Sequence, residues 1–220
     1  MSDIDHLKAH DRFAADYDRQ VKEFHSYGAE VLFGMSYEYI TGKESLLDLG
    51  IGTGLSSVLF AKAGLDVIGL DGSTAMLKEC AKKGFAKQLH QYDIRNVPFP
   101  FANAAFSFVI CCGVFHFFDT LGPTIEESYR LLNDSGIMGF TIASLQDSEL
   151  RGETNKIPDY IQVPTMWGIP IYQHSDDYIW ETAGTVGFSI TKEQKILIDS
   201  GDKTKADLVF KAIIMQKDQS

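Results

Sequence analysis

The stretch that decides the fold is LLDLGIGTGLSS, residues 46–57. An apolar run carries one acid, Asp48, and then meets three glycines at alternate positions, Gly50, Gly52 and Gly54. Leu55, Ser56, Ser57, Val58 and Leu59 follow directly and read as a helix. Strand, glycine-rich turn and helix together open a βαβ unit. Glycines at such a turn let the backbone come close to a ligand, and they tolerate the bend that aims the helix N-terminus at it.

Outward from this turn the alternation continues. SLLDLG (45–50) is a buried strand, 54–63 a helix stopped by Gly64, and DVIGLD (66–71) a second strand. Ser73 is a good N-cap for a helix running to about Lys83, which Gly84 stops. AKQLHQYD (86–93) is a weaker third strand, and RNVPFPFANAA leads to a fourth, FSFVICC (106–112). A helix over 123–132 and a fifth strand, GIMGFTIAS (136–144), complete the series. This cadence means right-handed βαβ units and a parallel sheet with helices on both faces. The continuous apolar strands agree, because strands buried on both faces do not alternate.

On the N-terminal side, Leu7, Phe13, Ala14, Tyr17 and Val21 fall near one helical face. Val31, Leu32, Met35 and Tyr39 form the stripe of a second helix over about 28–40, ended by Thr41-Gly42. On the C-terminal side, residues 146–175 lose periodicity and gather Pro, Gly and aromatics, as a functional loop does. Asp176 to about Thr185 restores a helix, ended by Gly187. The strands SITKEQKILI (189–198) and ADLVFKAIIMQK (206–217) are joined by DSGDKTK, too short for a crossover helix, so they pair as an antiparallel hairpin.

Composition narrows the partners. The 220 residues are 45% hydrophobic and 23% charged, with a formal net charge of −10. Such a surface repels nucleic acid and anionic membranes, and no lysine-arginine run offsets it. Three cysteines, Cys80, Cys111 and Cys112, make no disulfide framework. The N-terminal MSDIDHLKAHDRF has no apolar leader, and no apolar run is long enough to span a bilayer. A reduced cytoplasmic compartment is the expectation.

The glycine turn admits several ligands. A P-loop needs Gly-Lys-Ser/Thr, which is absent. The dinucleotide fingerprint G-x-G-x-x-G has its third glycine one residue later, where this chain has Leu55. An acid two residues before Gly50 is a poor neighbour for a pyrophosphate, and it suits a ligand carrying an amino group and a sulfonium. Asp71 ends the second strand, 21 residues after Gly50, where a carboxylate accepts from both ribose hydroxyls and repels a 2′-phosphate. Asp93 ends the third strand and is placed to accept from an adenine amino group.

In order, DLGIGTG, VIGLDGSTAML, YDIRNVPFPFANAAFSFVICCGVFHFF and LLNDSGIMGFTIAS resemble the motif set of class I S-adenosylmethionine-dependent methyltransferases. Within these they resemble the small-molecule branch of the UbiE and methyltransferase-11/25 type. The likeness covers residues 44–144 and extends over 174–217. RFAADYD is similar to the F-x-x-x-Y-D element that closes over the cofactor in relatives. One departure is Ser107, where relatives often carry an acid (F-D-x-V).

The resemblance implies a Rossmann-like three-layer αβα sandwich, with a seven-stranded, mostly parallel sheet whose last strand is antiparallel. It implies one domain over 1–220: a helical cap (1–43), a cofactor core (44–144), an acceptor-side lid (145–175), and a closing helix and hairpin (176–220). It implies S-adenosyl-L-methionine as cofactor and S-adenosyl-L-homocysteine as product. The segment Leu49, Gly50, Ile51, Gly52, Thr53 and Gly54 would line the methionine part, with Asp48 ordering it. Asp71 would hold the ribose, Gly72 and Met76 would flank the adenine, and Asp93 with Ile94 would take its amino group. Cys112, Gly113 and Val114 would lie near the reactive end, with Tyr17 capping the site.

The acceptor is less legible. Methyl transfer from a sulfonium is an in-line displacement that asks mainly for proximity and water exclusion. His116 is a candidate base, or a histidine packed among Phe115, Phe117 and Phe118. Tyr160, Trp167 and Tyr172 are candidates for an acceptor pocket, or for packing within the lid. There is no Asn/Asp-Pro-Pro-Tyr after the fourth strand, no Pro-Cys pair and no metal-ligand spacing. The expectation is a small-molecule acceptor with no metal, nucleic acid or membrane partner, and a monomer or homodimer. An NAD-dependent oxidoreductase and a non-catalytic cofactor-binding module remain as alternatives.

Overall fold

A computed structural model describes residues 11–145, 158–164, 169–198 and 208–218. Residues 11–13 are helical; α1 (Tyr17–Glu23) and α2 (Gly28–Ser36) follow, then a 3-10 turn over Tyr37–Tyr39. The core follows as β1 (Ser45–Leu49), α3 (Ser57–Lys62), β2 (Asp66–Asp71), α4 (Thr74–Lys82) and β3 (Gln88–Gln91). It continues with β4 (Phe106–Cys111), a 3-10 turn (Phe115–Phe117), α5 (Gly122–Leu131) and β5 (Leu132–Ala143). Then come β6 (Tyr160–Val163), β7 (Ile171–His174), α6 (Asp176–Val186), β8 (Phe188–Ile198) and β9 (Leu208–Lys217).

Seven strands form one sheet in the order β3-β2-β1-β4-β5-β9-β8. β1 to β5 pair in parallel, and β9 runs antiparallel to both of its neighbours, β5 and β8. The last strand is therefore the reversed one, inserted between two that point with the rest. Alternate residues of β1, β2, β5 and β9 enter different cores. On β1, Leu46 packs with Leu32, Phe60 and Leu77, whereas Leu47 and Leu49 pack with Ile125, Leu131, Ile179 and Ala183. So α2, α3 and α4 cover one face, and α5 and α6 cover the other. This is the three-layer arrangement, and double burial is why the strands read as unbroken apolar runs.

Three expectations need correction. α3 begins at Ser57, three residues later than 54, because residues 52–56 are spent on turns. β5 begins at Leu132, directly where α5 ends, rather than at 136. The segment 146–175 is not loop throughout: β6 and β7 pair as a short antiparallel hairpin. Val163 and Ile171 of that hairpin pack into the same core as Phe210 and Ile196. Its edge docks on the main sheet through a bridge between Ser144 and His174 and the Leu145 N–H donating to the His174 carbonyl at 2.8 Å. Strands of four residues are too short to give a periodic signal. Trp167 and Leu7 lie outside the described residues, and Phe13, expected on an apolar face, is 43% exposed.

One close approach ties the first two strands to the turn between them. A Cβ on Gly69 would stand 2.4 Å from Ile51 Cδ1, so the turn lies flat on β2 only because position 69 has no side chain. Gly69→Ala should cost about 1–3 kcal/mol by overpacking, lowering Tm by roughly 3–10 °C in thermal unfolding. Adding Ile51→Ala should return part of that loss, and an unchanged Tm in the single variant would contradict the contact.

Candidate functional site

Three carboxylates stand at the carboxyl edge of neighbouring strands. Asp48, near the end of β1, is fully buried. It accepts from Ser56 Oγ at 3.3 Å and from Ser57 Oγ, while its Oδ1 is buried with no hydrogen-bond partner. Burial pushes its carboxyl up to about 7 against the pull of the two serines, and Asp71 adds to the rise. Asp71, the last residue of β2, accepts from Gly52 N–H at 2.8 Å on one oxygen and from Ser73 N–H at 2.7 Å on the other. Burial still holds its carboxyl above the usual range. Asp93 lies two residues beyond β3 and is gripped by Arg95, the Nη2 to Oδ2 distance being 2.6 Å. That hydrogen-bonded guanidinium keeps Asp93 low.

The three turn glycines have separate reasons. A Cβ on Gly50 would meet Val114 Cγ2 at 2.6 Å, and one on Gly54 would meet Phe85 Cζ at 2.5 Å and Cys80 Sγ at 2.9 Å. Gly52 has φ +54°, yet a Cβ there would meet nothing closer than a carbonyl at 4.0 Å. Gly50 and Gly54 are thus packed from behind, while Gly52 faces open space beside Asp71. Both Gly50 and Ile51 donate their N–H groups to the Leu70 carbonyl, at 2.8 and 2.9 Å. Leu49 and Ile51 are buried.

The N-terminal segment crosses this turn. Thr53, buried in the turn, donates its hydroxyl to Asp18 Oδ1 at 2.5 Å, and Asp18 Oδ2 pairs with Lys83 Nζ at 2.6 Å. Ser73 caps α4 by accepting from Met76 N–H at 3.1 Å and donates to Asp11 at 2.5 Å. Tyr17 sets its hydroxyl 3.9 Å from where a Gly113 Cβ would stand. Burial, with Cys112, Asp71 and Asp18 nearby, pushes its phenol up to about 12. The structure therefore brings together Tyr17, Asp48, the glycine turn, Asp71, Gly113 and Val114. Met76 and Ile94 are buried, and Gly72 lies between Asp71 and the cap Ser73. The Cys112 thiol is held neutral by burial, at about 12. Asp18 and Lys83 escaped the sequence reading, because the pairing spans 65 positions and leaves no local pattern; the Y-D dipeptide was its only trace.

These residues match a known family. Methyltransf_11, described as "Methyltransferase domain", matches residues 47–140. Over this stretch the chain resembles the class I S-adenosylmethionine-dependent methyltransferases. It is 32% identical over 139 residues to the malonyl-[acyl-carrier protein] O-methyltransferase of Legionella pneumophila, covering 61% of this chain and 48% of that protein. The enzyme of the same name from Enterobacter lignolyticus is 33% identical over 96 residues, covering 44% of this chain and 38% of that one. The chain thus spans less than half the length of these curated relatives. In fold it is similar to the 1,6-didemethyltoxoflavin-N1-methyltransferase of Burkholderia thailandensis, solved with 1,6-didemethyltoxoflavin and S-adenosylhomocysteine: TM-score 0.69, 13% identity, 100% of this chain and 92% of that one. A methyltransferase structure from Methanosarcina mazei gives 0.67 at 15% identity, covering 84% and 98%.

The residues of this site fit S-adenosylmethionine on their own chemistry. An orphaned carboxylate oxygen, a second raised carboxylate with lone pairs to spare, and open space at Gly52 suit a ligand with an ammonium, a sulfonium and ribose hydroxyls. Beyond β4, the His116 ring lies 4.1 Å from the Phe117 ring and 5.2 Å from the Phe210 ring. Tyr160 and Tyr172 meet edge to face at 5.4 Å. Tyr160 also lies 5.9 Å from His174, which stacks on Tyr178 at 5.5 Å. These contacts join both tyrosines to the root of α6 rather than to the glycine turn. A groove lined by Val97, Pro98, Tyr129, Arg130 and Lys217 lies at the opposite, amino edge of the sheet. Among the described residues no His/Cys/Asp/Glu group is arranged to hold a metal, and no helix is long and apolar enough to cross a membrane.

The raised Asp48 carboxyl sets a pH dependence. Between about pH 4 and 7 the folded chain keeps a proton that an unfolded aspartic acid, at 3.8, has lost. The native state then binds more protons, so this group's contribution to stability falls as pH rises through that window. Asp71 acts in the same direction, while His174, lowered by burial from 6.5 to about 4, acts oppositely. Urea unfolding of the ligand-free protein and of Asp48→Asn at pH 5 and pH 8 isolates the term. The variant should gain on the parent as pH rises, and parallel profiles would contradict a proton held on Asp48.

Proposed function

We propose that the chain is an S-adenosylmethionine-dependent methyltransferase that transfers the methyl group in line to a small molecule and acts as a monomer or homodimer. The observation that carries this reading is the pair of raised carboxylates at adjacent strand ends: Asp48, with one buried oxygen left without a partner, and Asp71, beside the open Gly52. A pyrophosphate would bring negative charge to these acids, which speaks against a nicotinamide dinucleotide. In this reading Asp71 accepts the ribose hydroxyls and Asp48 orders the methionine end along Leu49–Gly54. Gly72, Met76 and Ile94 enclose the adenine, and Asp93 accepts from its amino group.

The bound cofactor supplies an already activated methyl group. What remains for the chain is to orient and to exclude water. Tyr17, over Gly113, and the Asp18 clip between Thr53 and Lys83 close the cofactor side. The acceptor enters near Cys112–Val114, His116 and the hairpin carrying Tyr160 and Tyr172; Trp167 belongs to the same segment. His116 takes a proton where the acceptor requires it, although its aromatic neighbours support packing as much as chemistry. The net charge of −10 supports a small acceptor over nucleic acid or an anionic membrane, and free thiols at Cys80, Cys111 and Cys112 support a reducing, cytoplasmic setting.

Calorimetric titration with S-adenosylhomocysteine, with NADH in parallel, tests the reading. Micromolar binding of the first alone is expected, and Asp71→Ala should weaken it by roughly ten- to a hundred-fold through lost charge-assisted hydrogen bonds. NADH binding alone would overturn the assignment. Tight S-adenosylhomocysteine binding with no transfer to any member of an acceptor screen with labelled cofactor would favour a binding module over an enzyme.

A further inference from the structure

β4 lies between β1 and β5, and its end delivers the chain to the cofactor side. Cys111 still pairs with Phe140 across the ladder. At Gly113 a side chain replaces the ladder, and the N–H donates to Thr141 Oγ1 of β5 at 2.7 Å. Thr141 is 3% exposed. Its hydroxyl lies 3.8 Å from Cys112 Sγ, and its methyl stands 3.5 Å from where a Gly28 Cβ would be. The hydroxyl thus faces both the Gly113 N–H and Cys112 Sγ, while the methyl points toward α2.

A trans peptide points its N–H and its C=O in opposite directions. With the Gly113 N–H turned to β5, the Cys112 carbonyl is turned the other way, toward β1 and the glycine turn that follows it. Val114 then packs against Gly50, fixing the next residue as well. We infer that Thr141 is a positioning residue of the cofactor site: its hydroxyl holds the Cys112–Gly113 peptide so that the Cys112 carbonyl accepts a hydrogen bond from the cofactor's ammonium group. The inference rests on the methyltransferase reading of that site. Thr141 does not touch the ligand, and it acts through the peptide it orients.

The test compares two ligands on wild type, Thr141→Val and Thr141→Ser by calorimetry, with thermal melting to confirm folded protein. S-adenosylhomocysteine carries the amino-acid part; 5′-methylthioadenosine shares the nucleoside and thioether and lacks the ammonium. Thr141→Val should weaken S-adenosylhomocysteine about ten-fold and leave methylthioadenosine within about two-fold, and Thr141→Ser should restore wild-type affinity. Should Thr141→Val melt below the assay temperature, Thr141→Ala takes its place. Equal loss for both ligands, no loss, or a serine variant as weak as valine would overturn the inference and leave the methyltransferase reading standing. Wild type that fails to bind S-adenosylhomocysteine would overturn both.

Discussion

The site depends on one carboxylate, Asp71, that holds two loops at once. It takes the Gly52 N–H from the turn after β1 and the Ser73 N–H from the turn after β2. Hydrogen bonds to a charged group contribute about 1.5–3 kcal/mol each, so two of them would ordinarily hold a carboxyl low. Burial wins nevertheless, and the carboxyl sits above its usual range. Asp48 beneath it is in the same condition, with two serine donors and a still higher carboxyl. Lys83, at the end of α4, is engaged by Asp18 of the N-terminal segment. The free protein thus carries two raised acids, one of them with an oxygen that lacks a donor, and a ligand rich in donors and positive charge would relieve both.

The glycine turn shows how packing and binding divide a short motif. Gly50 and Gly54 are glycines because Val114, Phe85 and Cys80 press on the backbone there. Gly52 alone looks outward. This explains why the third glycine falls one residue early for a dinucleotide site. Its neighbours are the start of α4's partner loop and the end of α4 itself, not a pyrophosphate. The same turn delays α3 to Ser57, where Asp48 can reach two hydroxyls at the helix start.

Much of this was legible in the chain. Buried parallel strands announce themselves as apolar runs, and acids at their ends stand out because nothing in the core asks for them. Ser73 reads as a cap and acts as one. The β6–β7 hairpin did not show, because its four-residue strands draw their apolar residues, Val163 and Ile171, toward a core assembled from distant segments. Nor did Thr141: within GIMGFTIAS it is an ordinary β-former, and its role exists only through the register that sets Phe140 beside Cys111. Asp18 and Thr53 meet across 35 positions for the same reason. Local chemistry is written in local sequence, whereas contacts made by register and closure are not.

The acids also give the site a direction. A sulfonium donor carries one more positive charge than the thioether left after transfer. Asp48 and Asp71 interact more favourably with the charged form, and the low polarity that raises their carboxyls enlarges the difference. Tyr17, held neutral with its phenol near 12, adds no competing negative charge at ordinary pH. Ground-state attraction for the donor would by itself slow the chemistry, since only interactions stronger in the transition state accelerate it. The acids are therefore best placed away from the sulfur, at the ribose and the methionine end. In the proposed reading that is where Asp71 at the end of β2 and Asp48 within β1 stand, and the reactive end is left to Gly113, Val114 and Tyr17, which would shape it without charge.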